Sequence, residues 1–145
     1  MKIYLMAFIF LSGATSFADS TMLYTVAPPP NVVRPPDLYI MRDFKRPNSK
    51  RIIEPEVDGP YIVTRHFIAF IKKSNLYIIT DFDSLYKNQI ASGVRNIFKG
   101  PDSELVFEMI KTEPQYKREL YYITDFVNFK KNFISSEYVD YTFQF

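Results

Sequence analysis

A chain of 145 residues is the size of one domain. Its 18 Lys and Arg against 16 Asp and Glu lack the basic excess that usually carries binding to nucleic acid or anionic lipid, so neither partner is expected. The absence of cysteine excludes thiol catalysis, thiolate metal sites and a disulfide framework, leaving stability to a core in which 11 Tyr and 14 Phe are the large side chains.

The chain opens with "MKIYLMAFIFLSGATSFA", a lysine, an apolar run and a small-residue end. That layout predicts a signal peptide over residues 1–18, cut after Ala18, and a secreted or periplasmic location. The apolar run is too short to span a bilayer comfortably, and no stable membrane insertion is expected once it is removed. Removal would leave 127 residues, with 17 basic and 16 acidic. Zero cysteine and the absence of an Asn-x-Ser/Thr sequon both tilt the reading toward a bacterial exported protein.

Residues 19–60 read as a Pro-rich N-terminal arm. "APPPNVVRPPD" holds five prolines and should be extended and outside any sheet interior. The dibasic Lys50-Arg51 raises the possibility of processing after Arg51, which would release a host-defence peptide; a surface loop is the plainer reading.

Residues 61–145 read as a β-rich body of two units, 61–100 and 101–145. "YIVTRHFIAFI" is rich in β-branched and aromatic residues and predicts one strand. Four polar residues separate it from "LYIITDF", which suggests a β-hairpin. Leu85, Ile90, Val94 and Ile97 then recur at roughly helical spacing and predict a helix over residues 83–98, with Gly93 as a weakness. The second unit repeats the plan and closes on "VDYTFQF", which alternates as a strand. The expected fold is α+β with a mostly antiparallel sheet, with all-β as the alternative. An aromatic-ended last strand also occurs in outer-membrane barrels, but eight alternating segments are not visible.

The strongest signal is internal. Starting at Leu76 and at Leu120, eight of thirteen positions are identical, and a shorter copy starts at Leu38. The shared core is Leu-Tyr-x-x-x-Asp-Phe, and an internal duplication accounts for it. Its residues supply the candidate binding groups: Tyr39, Tyr77 and Tyr121 as a stripe, and Asp43, Asp81 and Asp125 as carboxylates that could share one rim. Packing for the tyrosines and turn formation for the aspartates are the preferred readings. The Pro-Pro before Leu38 suggests that the first copy is an edge strand.

Catalytic constellations are missing. His66 is the single histidine and is expected on a strand face; four glycines at positions 13, 59, 93 and 100 form no phosphate-binding loop; no Gly-x-Ser-x-Gly is present. No cofactor, metal ligand set or catalytic residue is assigned. The expectation is a non-enzymatic protein that docks on another protein, as an inhibitor or immunity-type partner does. A carboxylate-dependent hydrolase is kept as a further alternative.

Overall fold

The computed structural model describes residues 16–18, 21–112, 114 and 116–136. Within them lie twelve strands and one 3-10 turn at Pro47–Ser49, so the architecture is all-β and not α+β. The strands form three four-stranded antiparallel sheets, each a simple meander. Sheet A contains β1 (Ser16–Ala18), β2 (Thr21–Val26), β3 (Asp37–Met41) and β4 (Arg51–Glu54). Sheet B contains β5 (Tyr61–Val63), β6 (Ile68–Lys72), β7 (Asn75–Ile79) and β8 (Asn88–Ser92). Sheet C contains β9 (Val94–Lys99), β10 (Leu105–Lys111), β11 (Lys117–Ile123) and β12 (Asn132–Ser135). The closing segment 139–145 and residues 1–15 lie outside the described residues.

Several local expectations change, each for a physical reason. The helix over 83–98 is absent: Leu85 lies in a turn, Ile90 in β8, and Val94 and Ile97 in β9. Gly93 causes the break. Its φ of +72 is accessible to glycine at little steric cost, and a Cβ there would sit 3.0 Å from the Ile110 carbonyl oxygen. Sheets B and C are therefore joined by this one residue, which also hydrogen-bonds forward, Ile110 N donating to Gly93 O at 2.8 Å.

"YIVTRHFIAFI" is not one strand but a hairpin. Thr64 folds it: its Oγ1 accepts from the backbone N–H groups of His66 and Phe67, both at 3.1 Å, and its own N–H donates to Phe67 O at 2.8 Å. His66 thus sits exposed in a turn and not on a strand face. The β6–β7 hairpin is present where expected. Its two-residue turn has φ of 49 at Lys73 and 61 at Ser74, the doubly positive pattern whose twist matches the flanking strands.

The N-terminal third supplies a full sheet. The proline stretch is the connection between β2 and β3, where Arg34 forks onto Asp37 at 2.6 and 3.1 Å as the strand begins. Because Pro35 and Pro36 stop short of β3, that strand keeps its donors and pairs with β2 and β4, so the first copy is interior and not at an edge.

The sheets pack face to face. β5 lies against β1 and β2, and β9 lies against β5 and β6. Between A and B lies one apolar cluster, including Leu23, Leu38, Ile40, Val63, Ile68, Phe70 and Ile79. Between B and C lies another, including Phe67, Ala69, Leu76, Ile78, Val94, Leu105, Phe107 and Ile123. Sheet B is covered on both faces, which explains why β6 and β7 read as nearly continuous apolar runs. Each fully buried Leu, Ile or Phe contributes roughly 1.5–3 kcal/mol.

Candidate functional site

The repeated core occupies the same place in every sheet. Leu38, Leu76 and Leu120 fall on β3, β7 and β11, the third strand of sheets A, B and C. In all three the pairing with the fourth strand slips by one residue at the Leu-Tyr step. The fourth strand carries the extra residue, and it is isoleucine each time: Ile53 between the partners of Leu38 and Tyr39, Ile90 between those of Leu76 and Tyr77, Ile134 between those of Leu120 and Tyr121. Such a bulge bends the strand and increases its local twist.

The tyrosines do not converge. Each stacks on the residue directly opposite it on the second strand of its own sheet: Tyr39 on Tyr24 at 5.7 Å, Tyr77 on Phe70 at 5.3 Å, Tyr121 on Phe107 at 5.6 Å. Offset aromatic pairs of this kind add about 0.5–1.5 kcal/mol beyond burial. Tyr121 also donates its hydroxyl to Glu119 at 2.6 Å. That carboxylate, which Lys111 approaches at 2.8 Å, is held below the ordinary glutamate range by the lysine first and the tyrosine second.

The aspartates sit in three separate turns. Asp81 accepts the N–H groups of Asp83 and Ser84 at 2.9 and 3.3 Å. Asp125 accepts those of Val127 and Asn128 at 2.9 and 3.1 Å, and the Asn128 amide at 2.8 Å. In both turns the fifth residue returns its N–H to the aspartate carbonyl and takes a positive φ, 55 at Leu85 and 52 at Phe129. Those two side chains then fold back onto the core. Asp43 makes a shorter variant, accepting Lys45 N at 2.9 Å. Hydrogen bonds within their turns hold Asp81 and Asp125 below the usual carboxylate range, from the Ser84 and Asn128 side chains respectively. Among the described residues, no group of three His, Asp or Glu could hold a metal ion.

These turns share one end of the molecule. Arg42 Nη1 reaches Asp83 at 3.0 Å and lies over the Phe82 ring at 5.7 Å, and Arg51 Nη1 donates to Asp83 O at 2.7 Å. Phe126 stacks on Phe67 at 4.4 Å, tying the Asp125 turn to the β5–β6 turn. The rim so formed exposes one large apolar side chain from each repeat turn: Phe44 at 50%, Tyr86 at 70% and Val127 at 85%. The processing candidates lie here as well, Lys50 exposed and Arg51 at the first position of β4, paired with Ile40. Ala18 is the last residue of β1.

Sequence reasoning missed Glu54. It ends β4 and receives Lys72 Nζ at 2.6 Å and the Lys87 ammonium, so it ties sheet A to sheet B. Burial opposes its ionisation, but the two lysines more than offset that, and its pKa falls below the ordinary glutamate value. A depressed carboxylate stabilises the fold above its unfolded pKa and loses that contribution as pH falls through the folded one. Glu54→Gln is therefore expected to lower Tm clearly at pH 7, by about 1–3 kcal/mol of stability. The wild-type advantage should shrink as pH drops below the glutamate range, as thermal melts across pH 3–7 will read.

At the opposite end a cleft of about 590 Å³ opens among Asp58, Pro60, Ile71, Ser74, Arg95 and Thr112. Its size suits a small ligand. Asp58 is engaged there by the Lys73 N–H at 2.9 Å.

No protein-family model matches the chain, and no curated protein matches it. Among the described residues, no helix is long and apolar enough to cross a membrane.

Proposed function

We propose that this is a small secreted or periplasmic protein that works by docking on another protein and not by catalysis, in the manner of an inhibitor or immunity-type partner. The observation that carries the reading is the turn rim, where Phe44, Tyr86 and Val127 stand exposed, one in each of the three repeat turns though not at matching positions. A buried apolar or aromatic anchor within a polar surround is the usual make-up of a binding hot spot. The candidate aspartates support the same reading, because each already serves its own turn. Tyr39, Tyr77 and Tyr121 contribute as sheet-building residues that hold the turns in place. Three related units, each following its third strand with an Asp-Phe turn, shorter in the first copy, would present a similar edge three times; the shared bulge and stack argue for that descent.

The test places a photo-crosslinking phenylalanine analogue at Tyr86 in the full chain in its native compartment. The expected result is one discrete crosslinked species that is lost when Phe44→Ser and Val127→Ser are added. Absence of any rim crosslink, with an intact fold by circular dichroism, would sink the docking reading.

A further inference from the structure

We propose that the turn rim takes an acidic segment of a protein partner. The proposal rests on the docking reading above and names the chemistry of the partner.

Five segments form the rim: residues 42–51, 64–67, 80–87, 99–104 and 124–131. The β5–β6 and β9–β10 turns belong to it because Phe67 meets Phe126, and because Leu105 at the start of β10 pairs with Ile123 at the end of β11. Together these segments hold ten of the chain's 18 basic residues and six of its 16 acidic ones. The rim thus carries a surplus of four positive charges, whereas the other described residues, with seven Lys and Arg against six Asp and Glu, are close to balance. A nearly neutral composition conceals a basic rim.

Five of the six acids of the rim are already committed. Asp43, Asp81 and Asp125 accept backbone N–H groups of their own turns, Asp83 faces Arg42, and Glu104 accepts Asp102 N at 2.8 Å. The cations are less constrained. Among the described residues Lys45, Lys50, Lys130 and Lys131 form no ion pair, and all four are exposed. Lys45 directly follows Phe44, Lys50 lies at the far end of the same connection, and Lys130 and Lys131 follow Val127 within its turn. A partner must therefore bring carboxylates for the lysines and apolar side chains for the anchors between them. That combination fits an acidic peptide segment better than a nucleic-acid backbone, which offers phosphates but no aliphatic or aromatic side chains to meet an exposed Phe and Val.

The experiment uses the full chain and a fluorescein-labelled peptide of glutamates with two interspersed phenylalanines. Duplex DNA and phosphatidylserine vesicles serve as anionic comparators. The expected result is saturable peptide binding that weakens with salt and falls about tenfold or more in a variant carrying Lys45→Glu, Lys50→Glu, Lys130→Glu and Lys131→Glu. The comparators should bind more weakly. The variant should keep the wild-type fold and close to its Tm, since none of the four lysines forms an ion pair among the described residues and the attraction of Lys130 for Asp125 is the least of the influences on that carboxylate. Tighter binding to DNA or vesicles overturns the proposal, as does peptide binding that is absent or unmoved by charge reversal. A species captured at Tyr86 whose capture survives the four substitutions sinks the acidic partner and leaves docking standing; no capture at Tyr86 sinks both.

Discussion

Phe67→Ala is expected to cost about 3–5 kcal/mol and to be the most damaging single truncation considered. The ring is fully buried in the cluster between sheets B and C, and it stacks on Phe126 at 4.4 Å. Its removal leaves a cavity beside a tight turn whose backbone is pinned by Thr64, so the site cannot easily collapse. Against a typical domain stability of about 5–15 kcal/mol this is a large fraction. Urea denaturation should show a lower midpoint with an unchanged slope. A loss under about 1 kcal/mol would mean that the two sheets do not depend on this contact.

Ile53→Ala and Ile134→Ala should differ sharply although both residues fill the same bulge. Ile53 is 6% exposed beneath sheet B, whereas Ile134 is 47% exposed on β12. Truncating the first should cost about 2–4 kcal/mol, and truncating the second no more than about 0.5 kcal/mol. Equal costs in parallel denaturation curves would show that the surroundings of Ile134 on sheet C are as closely packed as the face of sheet A that meets sheet B.

The strand character of the repeat, both of its apolar faces and the hairpin after Lys72 were legible because side-chain alternation and turn residues act locally. The three turns of Asp43, Asp81 and Asp125 were legible for the same reason. The Ile bulges were not, because a bulge depends on how two strands meet and neither strand announces it alone. The partners Tyr24, Phe70 and Phe107 were hidden by unequal hairpin connections, which set them 15, 7 and 14 positions before their tyrosines. The helix expected at 83–98 failed because apolar residues from a turn and two strands of different sheets happened to fall at helical spacing. The rim's charge escaped notice because a net count averages over the whole surface.

The Leu-Tyr step also gives the stack of sheets a direction. In every sheet the leucine side faces the following sheet or its equivalent direction, and the tyrosine side faces the preceding one. The stack is therefore polar, with unlike ends. Two copies joined through unlike ends would meet head to tail, and such an assembly must close into a ring or keep growing. A two-fold dimer would instead pair like ends, sheet A on sheet A or sheet C on sheet C.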